Sequence, residues 1–125
     1  MDHALNAAFF SLHTAWVLFN AVGWMWRKTR PWHLATMTLT AISWFALGYW
    51  YGWGYCVCTD WHWRVRERLG YRDDPDSYMQ LLAAQVLGLD PGPWWADVVT
   101  GSAFALAFAA TILLNGRDLR GARTR

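Results

Sequence analysis

Charge is scarce in this chain. Only 16% of its 125 residues are Asp, Glu, Lys or Arg, against roughly 25% in an ordinary soluble domain. The net charge of +2 sits in short arginine clusters, and no long basic run points to nucleic acid. Cysteine is nearly absent: two residues, Cys56 and Cys58, are too few for a disulfide framework. No G-x-S-x-G, H-E-x-x-H, P-loop or dinucleotide fingerprint occurs, so no catalytic residue is identified and a non-enzymatic role is expected. The length fits a single domain, 1–125.

What fills the space is apolar and aromatic. The chain is 55% hydrophobic and carries eleven Trp. Its mean hydropathy of +0.07 is modest because Trp and Tyr depress the scale, yet these rings favour a bilayer interface. Residues 4–26 hold no charged side chain. As a helix they are roughly 34 Å long, enough to cross a hydrocarbon core. The basic residues follow this run rather than precede it, which is the wrong order for a secretory signal. RKTR and Pro31 form a short basic turn, and a second span covers 33–55. So short a turn makes the two spans an antiparallel hairpin.

Residues 59–93 carry four arginines and six acids, so they lie outside the hydrocarbon. They read as two short amphipathic helices forming an outward cap. The first starts at Thr59 with Trp61, Val65 and Leu69 on its apolar face. The second starts at Asp74–Pro75 with Tyr78, Leu82 and Val86 on its apolar face. A third span, 95–115, is rich in Gly, Ala and Ser. Small residues let membrane helices approach closely, so Gly101 and Ala105 are candidate partner-binding positions. The basic tail, 116–125, is expected to be disordered. The turn and tail hold seven basic residues with one acid, which places both in the cytoplasm and the N-terminus outside. The fold class expected is therefore an all-α membrane protein with three transmembrane helices and an outward cap.

The segment GWGYCVCTDWHW, with LHTAWVLFN, GWMWRKTR and WHL upstream, resembles a family of small bacterial integral-membrane proteins of uncharacterised function, domain of unknown function 2784. In that pattern one histidine lies in the first span, here His13, and another opens the second, here His33. The resemblance runs from Ser11 to Tyr78. It implies the bacterial inner membrane and no known reaction. Val57 stands where the pattern has proline, which is expected to loosen the turn around Cys56.

Several constellations are chemically capable. Cys56, Cys58 and His62, with His3 from the same outward side, offer thiolate and imidazole to a metal ion. The C-x-C spacing differs from the usual zinc C-x2-C, and the plain alternative is a packed turn or a strained disulfide. His13 lies inside the first span, where it is able to ligate a tetrapyrrole, relay a proton or hold a quinone. The plain alternative is a neutral histidine hydrogen-bonded to Thr36, Thr38, Thr40 or Ser43. Arg64, Arg66 and Arg68 are candidate lipid-headgroup ligands or partners of nearby acids. The partners expected are membrane lipids and either another membrane protein or a second copy of the chain. The leading expectation is an accessory or scaffold subunit that binds partner helices, with a membrane redox or metal-binding protein as the alternative.

Overall fold

A computed structural model of the chain describes residues 1–72 and 74–124, and all regular structure among them is helical. Helix α1 spans Asp2–Val22 and closes at Gly23, whose N–H reaches the Phe19 carbonyl. Thr29 ties the following turn together by donating its hydroxyl to the Gly23 carbonyl at 2.6 Å. Pro31 then occupies the first turn of α2, Arg30–Ala41, where a missing N–H costs nothing. The helix continues unbroken through a π-helical stretch, Ile42–Leu47, and a last turn, α3, Gly48–Tyr51.

The chain then doubles back. Gly52 and Gly54 have φ of 107° and 80°, a region that favours glycine. The returning strand of backbone docks on the widened π stretch. The Gly54 N–H reaches the Trp44 carbonyl, and Ser43 donates its hydroxyl to the Tyr55 carbonyl at 2.8 Å. From there α4, Val57–Arg68, runs along the N-terminal half of α1. Cys56 caps it in extended conformation, φ −132° and ψ 120°. Such a backbone suits a residue before proline. Val57 fills the first helical position, where the pattern has proline.

Helix α5, Tyr78–Leu82, starts from a capping box in which Ser77 and Gln80 bond each other's backbone N–H, not from Asp74–Pro75. It passes into a second π stretch, Ala83–Leu87, and ends at Gly88 in the left-handed region. Helices α4 and α5 bury only part of the faces expected, Val65 and Tyr78 among them. Helix α4 buries His62, Val65 and Arg66 and exposes Trp61, while α5 buries Tyr78, Gln80 and Leu81 and leaves Val86 exposed. Each buried polar group finds a partner, His62 at Asn6 and Tyr78 at Phe10 on α1, Arg66 at Asp74 and Gln80 at Pro91, as a polar group turned into a dry interface must.

Helix α6, Pro93–Arg123, is 31 residues long and absorbs most of the tail. The order arises from contacts that the composition of the tail hides. Asn115 donates to the Arg30 carbonyl, and Asp118 pairs with Arg30 at 2.9 Å and Arg27 at 3.5 Å. Arg125 lies outside the described residues.

Two helices, α1 and α6, are long and apolar enough to cross a membrane. Only 6% and 11% of their apolar windows are buried, so their hydrophobic side chains face outward. The interior is half polar: His13, His33, His62, Arg66, Gln80 and Thr111 are buried beside Met37, Val65, Tyr78, Leu81, Ala96 and Ala107, while Leu12, Leu18, Leu39, Phe45, Leu106 and Leu113 are exposed.

Candidate functional site

Asn6, His13 and Asn20 recur every seven residues along α1. Seven residues are close to two helical turns, so the three side chains share one face. Each meets a different polar partner. Near the start of α1, Asn6 Oδ1 accepts the His62 Nε2–H at 2.8 Å. Near its end, Asn20 donates to Thr40 at 3.0 Å and accepts from Thr36 at 2.7 Å, and its carbonyl accepts the His33 Nε2–H at 2.9 Å. Asn20 therefore fills the helix-joining role considered for His13. Thr38 and Ser43 turn to backbone carbonyls instead.

His13 faces a different set. Its Nε2 lies 3.9 Å from Cys56 Sγ, and its ring stacks on Tyr78 with centroids 3.8 Å apart. Tyr78 is fixed in turn: its hydroxyl donates to the Phe10 carbonyl and receives a hydrogen bond from Thr14, both at 2.8 Å. The doubled-back loop is what brings Cys56 to this level. Cys56 meets His13, which lies eleven residues along α1 from Asp2, about 16 Å from the helix start at the α-helical rise. The cysteines were expected at the outer end of the bundle. Instead the pair spans from the level of His13 into the first turn of α4.

The expected metal set is split by this geometry. Cys56 meets His13, His62 meets Asn6, and His3 is exposed at the start of α1. Among the described residues no three His, Cys, Asp or Glu side chains gather into a cluster. Both thiols are free and half-buried. Burial, and then the neighbouring Cys56, push the Cys58 thiol up, which keeps it protonated and a poor nucleophile. Burial holds His62 below the usual imidazole range, helped by the Arg66 cation and opposed by Asp74. Burial also raises the Tyr78 hydroxyl. His62 is thus a neutral structural donor.

The three candidate lipid-binding arginines all have carboxylate partners within the chain. Arg64 pairs with Asp60 at 3.1 Å and Arg68 with Asp2 at 3.2 Å. Arg66 is buried, bonds Asp74 at 2.6 Å, and lays its guanidinium 4.2 Å from the centre of the Tyr71 ring. Gly101 and Ala105 lie elsewhere, on an open groove of about 580 Å³ between the π stretch of the second helix and α6. Trp44, Phe45, Phe104 and Ile112 complete its apolar walls.

Asn6, Asn20, Thr14 and Tyr78 were not singled out as site residues in the sequence. The seven-residue recurrence of Asn6, His13 and Asn20 in an otherwise apolar run is the signal that marks this face.

These features define an all-helical protein with two helices of membrane-crossing length and a polar seam along the first. The chain belongs to the family described as Protein of Unknown function (DUF2784), whose model matches residues 3–116. That match takes in the whole seam and the groove, well beyond the Ser11–Tyr78 resemblance. No curated protein and no solved structure matches the chain.

Proposed function

We propose that this is a three-span protein of a bacterial inner membrane that serves as a non-enzymatic accessory subunit, holding a partner helix in the α2–α6 groove. The spans are α1, the continuous helix from Arg30 to Tyr51, and α6. The many large hydrophobic side chains left exposed, with charged and polar groups taking half of the small interior, support a hydrocarbon solvent. Arg27, Lys28, Arg30, Arg117, Arg120 and Arg123 share one end of the bundle, joined through Asp118, and the positive-inside tendency puts that end in the cytoplasm. The N-terminus, α4 and α5 then face outward.

The groove carries the functional reading. Gly101, Ala105 and Ala109 line it at four-residue intervals, so a neighbouring helix is able to approach the α6 backbone closely. Trp44, Phe104 and Phe108 stand beside that track, with Trp44 and Phe104 in ring contact at 4.7 Å. The lining is almost wholly apolar, which suits a single apolar transmembrane helix. The test is a photo-crosslinking residue at Phe108 in native membranes. A discrete protein adduct, absent for the same probe at exposed Leu113 and lost with Gly101→Leu or Ala105→Leu, is the expected outcome. Adducts only to lipid, or an adduct unchanged by both leucine variants, would count against it.

The redox alternative finds less support. Cys58 is held as a thiol, and neither cysteine is paired.

A further inference from the structure

We propose that Cys56 and His13 form a buried two-ligand site for a soft monovalent metal ion, Cu(I), independent of the groove. The ligand pair differs from the four-residue set suggested by the spacing, because it joins α1 to the start of α4. The separation of Cys56 Sγ and His13 Nε2 is 3.9 Å. Ligands at about 2.3 Å and about 2.0 Å from one ion stand about 3.5 Å apart at a tetrahedral angle and about 4.3 Å apart when linear. The observed gap falls between the two, so an ion fits after a shift of a few tenths of an ångström.

A second observation points the same way. His13 is 92% buried by its 8% exposure, and its Nδ1 has no hydrogen-bond partner. The protein leaves one nitrogen of this ring unbonded and gives the other only a thiol, whose hydrogen bonds are weak. Buried His33 and His62 also leave Nδ1 without a partner, but their Nε2 atoms bond oxygen acceptors, so the thiol-only contact at Nε2 is what sets His13 apart. The ring is nevertheless held in place by stacking on Tyr78, itself anchored to Phe10 and Thr14.

Charge and ligand number select the ion. The described residues supply two soft donors here and no third His, Cys, Asp or Glu in a cluster. Zn²⁺ takes four ligands in structural sites and three plus water in catalytic ones. Monovalent copper accepts two, and thiolate ligands favour it. One Cu⁺, one thiolate and one neutral imidazole sum to zero charge, the cheapest ionic state at this depth. On binding, Cu(I) displaces the Cys56 thiol proton to solvent and forms Cu–S and Cu–N bonds with no change of oxidation state. Cys58 stays a protonated bystander.

The experiment uses the full chain in mild detergent, kept anaerobic and titrated with Cu(I) against a colorimetric Cu(I) chelator. One Cu(I) per chain is expected, together with protection of Cys56 from alkylation mapped by mass spectrometry. Changes to partners one bond removed from a metal already weaken binding by about 10–100-fold, so Cys56→Ser and His13→Gln should each weaken it by at least about a hundredfold. Cys58→Ser should change it little. If either ligand variant fails to fold, the alkylation map on the unaltered chain still decides. No Cu(I) uptake, unprotected Cys56, binding that survives His13→Gln, or tighter binding of Zn(II) than of Cu(I) would each overturn the proposal.

Discussion

The Tyr78 hydroxyl stands 2.8 Å from both Thr14 Oγ1 and the Phe10 carbonyl oxygen, so α5 is tied to the middle of α1 rather than to its end. A single side chain thus sets where along α1 helix α5 docks, and it supplies the surface on which His13 stacks. Tyr78→Phe removes the hydroxyl and leaves the Phe10 carbonyl without that partner. The expected loss is about 1–2 kcal/mol, the range for one buried hydrogen bond left half-made. Denaturant unfolding in detergent, followed by tryptophan fluorescence, measures it.

Gly23 is a position where the fold has no room for a side chain. A Cβ there would lie 2.7 Å from the Phe19 carbonyl oxygen and 2.8 Å from His33 Cδ2. His33 is fully buried and bonded to Asn20, so it has nowhere to retreat. Gly23→Ala is expected to cost about 1–3 kcal/mol through overpacking at the α1–α2 turn. The companion change Gly116→Ala, at a helical glycine where a Cβ meets nothing within 4 Å, should lack this penalty. Comparison of the two midpoints checks the account.

His62 makes the contact between α1 and α4 sensitive to acid. Its folded pKa is lowered, so the unfolded chain binds the extra proton first as pH falls. The stabilisation is therefore complete above the ordinary value of 6.5 and is lost as pH drops below it toward the folded pKa. Amide exchange in α4 should speed up on moving from pH 7.5 to 5.5, after correction for intrinsic rates. His62→Gln keeps a donor for Asn6 without the titration and should flatten this dependence.

How much of this was legible beforehand varies by element. Residues without charge marked α1 and α6 because a long apolar run has few alternatives to a helix. The turn at RKTR was legible from Pro31. The apolar stripes of α4 and α5 were misplaced because the faces that pack are partly polar. His62, Arg66 and Gln80 go inward, each to a specific acceptor or carboxylate, and hydrophobic spacing is blind to such pairs. The ordered tail was hidden for a similar reason, since Arg30 and Asp118 are 88 positions apart.

The candidate site shows the same limit. His13 and Cys56 were each visible as unusual residues, but their meeting was not. It depends on positive φ at Gly52 and Gly54 and on a π-helical stretch that offers the Trp44 carbonyl to the returning loop. Glycines signal a turn, yet they do not say how far the chain comes back. The seven-residue recurrence on α1 was the one readable trace of the seam.

The central claim is the three-span arrangement with its basic end inside and its α4–α5 cap outside. Single cysteines in a Cys56→Ser, Cys58→Ser background, labelled in spheroplasts with a membrane-impermeant maleimide, test it most directly. Cysteines placed at Glu67 and Asp90 should label in intact spheroplasts, and those at Lys28 and Arg120 only after lysis. Labelling of all four from the same side would contradict it.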